Sequence, residues 1–382
     1  MNKTDKKKNS FSKLFAVASV MFASHVGSGF ATGNQANQYF VSNGIIGIFM
    51  PILAIAIMAL VNREAMTMYN NHNCRSYKDL FQVLYSPYPQ LYILFEIYFN
   101  LMVIVAVGAV IAGAASLLET LNILPYLIAA ILVALLLFLL TIFGAEFVGK
   151  ISAVLSLIML ITCFLIFIPA IASKGLPNIF SSIKNSGMPN GIISPIITSF
   201  SYAGFCSVVI ASLMATGTVL KSRKEESKSM ILGYIMNLIP VTVSLLMLYG
   251  WKDDYIAAGK STLPTLFITS QLENPVFFYA YNIFLFLALI STGVTTVYGF
   301  VSRFSELEFL EKRIESKNKR ESISSAFAII VSMGVSLAGL DAVIGYGYKY
   351  MGYYGTIVFI IPLLTIGYKK NRDFLKKHPE RR

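Results

Sequence analysis

Residues 25–33 read His-Val-Gly-Ser-Gly-Phe-Ala-Thr-Gly and interrupt the first long hydrophobic segment of the chain. Each glycine costs about 1 kcal/mol of helix propensity relative to alanine. Backbone left unpaired at membrane depth is tolerated only where protein encloses it or it lines a cavity. A second interruption is expected at Ser201-Tyr202-Ala203-Gly204-Phe205, five hydrophobic segments later. Matched broken segments in two halves of a chain point to a transporter's binding site. Unwinding exposes carbonyls that suit a cation and amides that suit a carboxylate. Gly27 and Gly29 let backbone approach a small ligand, because no β-carbon intervenes. Ser28, Thr32 and Ser201 add hydroxyls, and Tyr202 and Phe205 add an aromatic wall. The competing reading is close helix packing through small residues.

Three further clusters carry chemistry. His25 sits at the first break, as a ligand contact, a protonatable switch, or a neutral hydrogen-bonded interior histidine. Ser291-Thr292-Gly293-Val294-Thr295-Thr296 places four hydroxyls in six residues of the eighth segment. They either complete an oxygen cage for a hard cation or bond back to the preceding helical turn. Glu96 and Asn100 lie four residues apart on one helix face with Tyr92. A carboxylate inside a span is a functional candidate, and its position near the span start points to gating or a structural ion pair.

The elements that position these residues follow from composition. The 382 residues are 56% hydrophobic and 13% charged, where a soluble protein carries about 25% charged. Apolar runs such as Tyr126–Phe143 and Ile151–Ala172 are long enough to cross a bilayer. The expected fold is an all-α polytopic membrane protein of ten spans: 12–40, 44–62, 90–118, 121–144, 149–173, 191–220, 228–250, 273–304, 322–339 and 350–368. Five spans on each side of residues 174–190 invite an inverted repeat, since an odd number per half reverses the second half. The expected organisation is therefore an N-terminal tail (1–11), a first repeat (12–173), an outside loop (174–190), a second repeat (191–368) and a basic tail (369–382).

The net charge is +12, yet its placement argues against a nucleic-acid partner. All Lys and Arg but Lys174, Lys184, Lys252, Lys260 and Lys349 fall on one side. That bias reports topology and an anionic inner leaflet, with both termini cytoplasmic and the chain multi-pass in the cell membrane. Cys74, Cys163 and Cys206 have no disulfide or metal spacing. No phosphate-cradling Gly-x-x-x-x-Gly-Lys-Ser/Thr, His-Glu-x-x-His or nucleophile elbow is present, so an enzyme is not expected, nor a cofactor.

The stretch His25-Val-Gly-Ser-Gly-Phe-Ala-Thr-Gly-Asn-Gln resembles the first-helix signature of the YkvI-type bacterial membrane proteins, relatives of the amino acid–polyamine–organocation superfamily. Phe143-Gly-Ala-Glu-Phe-Val-Gly-Lys150 is similar to that superfamily's entry to the fifth helix. The resemblance implies the LeuT fold: a five-plus-five inverted repeat with helices one and six unwound at the substrate site. It implies substrate contacts at His25, Val26, Gly27, Ser28, Gly29, Ser201, Tyr202, Ala203, Gly204 and Phe205. By similarity to sodium-coupled members, Na+ would take carbonyls of Ala23, Val26 and Thr292 and hydroxyls of Thr295 and Thr296. Proton-coupled members place a lysine in mid-helix five, and Leu155–Ile161 contains none. The implied function is sodium-coupled symport of an amino acid or similar small amine-containing solute. Alternatives are a germinant-receptor-like ligand sensor without flux, and proton coupling through His25 or Glu96. Substrate identity and oligomeric state stay open.

Overall fold

A computed structural model describes residues 3–25, 28–143, 145–305 and 308–381, without the side chains of 3–10, 23, 24, 28, 145–153, 156 and 308. The chain is helical, and among the described residues it has no strand. The interrupted first segment gives α1 (Lys3–His25), α2 (Ser28–Ala31) and α3 (Asn34–Tyr39). A tight 3-10 stretch, Val41–Ile48, leads into α4 (Met50–Asn71), the short α5 (Tyr77–Tyr85), α6 (Tyr92–Thr120), α7 (Tyr126–Phe143) and α8 (Ala145–Lys174). The surface helix α9 (Leu176–Asn185) then connects to α10 (Ile193–Cys206), α11 (Ile210–Gly217) and α12 (Arg223–Gly250). Two short helices, α13 (Lys252–Ala257) and α14 (Pro264–Gln271), precede α15 (Pro275–Phe304). The chain ends with α16 (Glu308–Glu311), α17 (Lys317–Ser336) and the long α18 (Leu340–Lys377), which carries three turns of wider π geometry.

Among the described residues eight helices are long and apolar enough to cross a membrane. The remaining two expected spans are helical, but α1 is apolar only over Phe11–Phe22, and α17 begins with a charged, polar turn. The helix α7 explains how such a bundle sits in lipid. Ala129, Ala130, Val133, Ala134 and Leu137 are buried, whereas Leu127, Ile128, Ile131, Leu132, Leu135 and Leu139 are exposed at the same three-to-four-residue spacing. Small residues face protein and branched aliphatics face hydrocarbon, since large apolar groups cost nothing in contact with acyl chains.

Two boundaries differ from expectation. The helix α4 runs nine residues beyond 62, because Glu64 is neutralised inside protein rather than marking the membrane surface. Asp341, Gly345 and Gly347 belong to the start of α18 instead of a loop, and α18 continues through the expected basic tail to Lys377. Both termini lie at one end of the bundle. There Ser229 of α12 donates to the Leu14 carbonyl (2.9 Å), and Arg381 Nη2 lies 3.8 Å from Glu226. This is the terminal end; the opposite one is the far end.

Candidate functional site

The first segment is helical up to His25 and again over Ser28–Ala31, and among the described residues it is interrupted at Thr32-Gly33. The Thr32 hydroxyl donates to the Gly29 carbonyl (2.8 Å) and accepts from the Asn34 amide (3.2 Å), so the short α2 is closed by a side chain. Gly33 follows with φ of 78°, the left-handed region that favours glycine. A β-carbon there would also lie 2.5 Å from the Thr265 hydroxyl of α14. Val26 and Gly27, the two central residues of the expected site, lie outside the described residues, as do the side chains of Ala23 and Ser28.

The second interruption falls later than the glycine and serine pattern suggests. Residues 201–205 are regular α-helix, and the chain tightens into a 3-10 turn at Ser207–Val209. The small residues serve packing. A β-carbon on Gly204 would lie 2.1 Å from the Gly352 carbonyl oxygen, so the backbones of α10 and α18 touch. Ser201 donates to the Lys349 carbonyl of α18 (2.8 Å), and Ala203 is fully buried. The end of α10 still has carbonyls to satisfy. The Tyr98 hydroxyl of α6 donates to that of Gly204 (2.7 Å).

His25 and Tyr202 are brought together. His25 Nε2 lies 2.7 Å from the Tyr202 hydroxyl and Nδ1 lies 2.7 Å from Asn237 Oδ1. Asn237 Nδ2 donates to the Gly233 carbonyl (2.7 Å), which fixes its oxygen toward the histidine. The network therefore assigns the Nδ1 proton to the Asn237 bond, and a neutral ring then accepts from the Tyr202 hydroxyl at Nε2. Rings of Tyr39, Phe40 and Phe205 pack around Tyr202 at centroid distances of 4.8–5.2 Å. His25 thus has the role of a satisfied interior histidine that also lines a cavity.

That cavity, of about 170 Å³, lies between the two interruptions. His25, Gly29, Thr32 and Phe205 line it from the expected set, with Thr292 and Thr296 of α15. Ser201, Tyr202, Ala203, Gly204 and Thr295 do not. The hydroxyls of α15 bond to their own helix: Thr292 to Ala288 (2.8 Å), Thr295 to Ser291 (2.9 Å), and Thr296 to the Thr292 carbonyl (2.7 Å). A hydroxyl that donates its proton this way keeps lone pairs to offer a hard cation. The Thr292 carbonyl is shared by the Thr295 and Thr296 hydroxyls (3.1 and 2.7 Å).

Glu96 and Asn100 lie toward the terminal end, apart from the cavity. Tyr77 of α5 donates to Glu96 (2.6 Å) and Asn100 donates to the Glu96 carbonyl (2.8 Å). Arg303 of α15 lies over the rings of Tyr77 and Phe99, about 4 Å from each. Residues that line the cavity but were not anticipated include Gln35, Cys206, Tyr348 and Leu340. Two polar clusters were also missed. At the terminal end Glu64, fully buried, holds Arg63 (2.7 Å), Arg223 (2.6 Å) and Asn371 (2.9 Å), while buried Glu226 accepts from Thr67 (2.6 Å) and Asn70 (2.9 Å). At the far end Asp341 accepts from Asn34 (2.7 Å) and Thr262 (2.5 Å), and Gln38 donates to its carbonyl (3.1 Å). A carboxylate within a span was a signal available for Glu64 and Glu226, had the helix ends been placed beyond them.

No family model and no curated protein matches the chain. Solved structures do. A Na+-coupled sialic acid symporter in a substrate-bound outward-open state is 15% identical, with 93% of this chain and 87% of that one covered and a TM-score of 0.54. MhsT in complex with L-phenylalanine is 11% identical, covering 94% and 97%, with a TM-score of 0.58. A manganese transporter of Eremococcus coleocola is 15% identical, covering 95% and 80%, with a TM-score of 0.54. Their cargoes differ, so the likeness carries fold and not cargo. These neighbours are transporters and not enzymes, and the chain is an all-α, multi-pass membrane protein with the LeuT fold.

Proposed function

We propose that the chain is a secondary active transporter, a sodium-coupled symporter of an amino acid or similar small amine-containing solute. The observation that carries this reading is the cavity of about 170 Å³ lined by His25, Gly29 and Thr32 of the first segment, Phe205 and Cys206 at the end of α10, and Thr292 and Thr296 of α15. Pockets for drug-sized ligands are roughly 300–1,000 Å³, so the volume suits a metabolite. The solute would lie against His25, Val26, Gly27, Ser28 and Gly29 on one side and Phe205 on the other. Sodium would sit beside the Ala23, Val26 and Thr292 carbonyls and the Thr295 and Thr296 hydroxyls, and the similarity in fold to a Na+-coupled symporter supports sodium as the coupling ion.

The two repeats, 12–173 and 191–368, would rock as a bundle of α1, α4, α10–α11 and α12 against α6, α7, α15 and α17. The basic terminal end faces the cytoplasm by the positive-inside bias. Far-end wall residues Phe30, Thr32, Gln35 and Leu340 are buried, whereas Ala106, Val208 and Thr296 are partly exposed.

The test is uptake of radiolabelled amino acids into proteoliposomes with and without an inward sodium gradient. No stimulation for any amino acid would sink the coupling. Replacing Thr292 and Thr296 by alanine is expected to raise the sodium concentration for half-maximal uptake about tenfold, which corresponds to about 1.4 kcal/mol.

A further inference from the structure

The polar groups around the central cavity differ in how much hydrogen-bonding capacity they have left. His25 uses both ring nitrogens on Asn237 and Tyr202. The Thr32 hydroxyl both donates and accepts within its own turn. Thr292 and Thr296 donate their hydroxyl protons to α15 carbonyls. Gln35 stands apart. It lines the cavity and is 6% exposed, yet its side-chain amide has no hydrogen-bond partner among the described residues. The Tyr348 hydroxyl on α18 is in the same position.

Leaving a buried amide unsatisfied is unfavourable, and such groups mark places where something else supplies the partners. Room for this amide is built into the first helix. A β-carbon on Gly29 would lie 2.3 Å from Gln35 Nε2, so the amide folds back over the break where any side chain at 29 would collide. The described lining of the cavity contains no carboxylate, lysine or arginine. Neutral oxygens can hold a single monovalent ion, but a doubly charged metal or diamine entering it would lose its water with no carboxylate to offset two charges. Among the described residues no group of three His, Cys, Asp or Glu side chains could hold a metal.

Resting on the reading of this cavity as the solute site, we propose that Gln35 is its specificity-determining residue. Its amide, assisted by the Tyr348 hydroxyl, pairs with a solute group that both donates and accepts. The solute is thereby neutral or zwitterionic, and diamines and divalent metals are rejected.

Thermal-shift titration of the purified full chain in sodium buffer tests this, with the twenty L-amino acids, putrescine and Mn2+ as probes. Bound ligand raises apparent stability by mass action. Stabilisation by one or more zwitterionic amino acids and by neither putrescine nor Mn2+ is expected. Gln35→Ala should weaken that binding at least tenfold, and Gln35→Glu should gain a response to putrescine. A Gln35→Cys, Cys206→Ser protein should react with a small methanethiosulfonate and be protected by the same amino acid, which reports the site whatever the other variants do. Unchanged amino-acid affinity in Gln35→Ala, a wild-type response to Mn2+ or putrescine, or no response to any amino acid overturns the proposal. Retained binding without uptake would instead overturn the transport reading and leave Gln35 in its role.

Discussion

His25 is a bridge between helices more than it is an isolated titratable group. Its ring joins α1 to α10 through Tyr202 and to α12 through Asn237, both at 2.7 Å. Replacing it by alanine strands the Asn237 oxygen and the Tyr202 hydroxyl, both in residues no more than 2% exposed. Each stranded group costs about 1–3 kcal/mol. His25→Ala is therefore expected to lower the melting temperature of the purified protein by several degrees, and His25→Gln, which can still donate and accept, by less. Equal melting temperatures for all three proteins would remove the bridge from the account. The sequence placed His25 at a break but could not choose among ligand, switch and interior residue. Its partners lie 177 and 212 positions away, and no local pattern connects them. Gln35 was visible within the same motif, but its unpaired amide is a property of packing.

At the scale of elements, the informative seam runs between α10 and α18. Gly204 and Gly352 bring two backbones into contact, and a β-carbon on either would lie 2.1 Å from a carbonyl oxygen of the other helix. Carbonyls cannot move aside as flexible side chains do, so the helices must separate. Overpacking of this kind typically costs about 1–3 kcal/mol. Gly204→Ala is expected to lower thermal stability and to slow uptake, and adding Gly352→Ala should cost less than a second full increment, because both strain one seam. Additive losses in melting temperature would show that the two glycines act independently. This seam explains why Ser201–Phe205 reads as unwinding in the sequence. Unwinding and close approach both select small residues, and only the neighbour decides between them. The all-α, multi-span class was legible because hydropathy reports lipid contact directly. The ends of α4 and α18 were not, because Glu64 is paired with its neighbour Arg63 and with Arg223, and accepts from Asn371, the last two from distant stretches of chain.

For the whole molecule, the two ends of the bundle are closed by different means, and that asymmetry predicts which side reaches the cavity. At the far end a single carboxylate, Asp341, gathers α3 through Asn34, the turn before α14 through Thr262, and α18 itself. It also lines a far-end vestibule of about 650 Å³, and the adjacent Leu340 lines both that vestibule and the central cavity. Leu340 is thus the partition, and the Asp341 clasp holds it in place. Asp341 is exposed, so its hydrogen bonds are worth less than buried ones. A loss of about 1.4 kcal/mol would still shift an open–closed equilibrium tenfold. Cys206, which lines the cavity, is a natural reporter of that shift. In intact cells carrying the Cys74→Ser background, a membrane-impermeant thiol reagent added outside should label Cys206 slowly, and several-fold faster once Asp341 is replaced by alanine. Sodium-driven uptake in the same variant should fall, since a far end that does not close cannot hand solute across. Equal labelling rates with and without Asp341 would mean that Leu340 and its packing seal the far end alone, and the carboxylate would then have no part in gating.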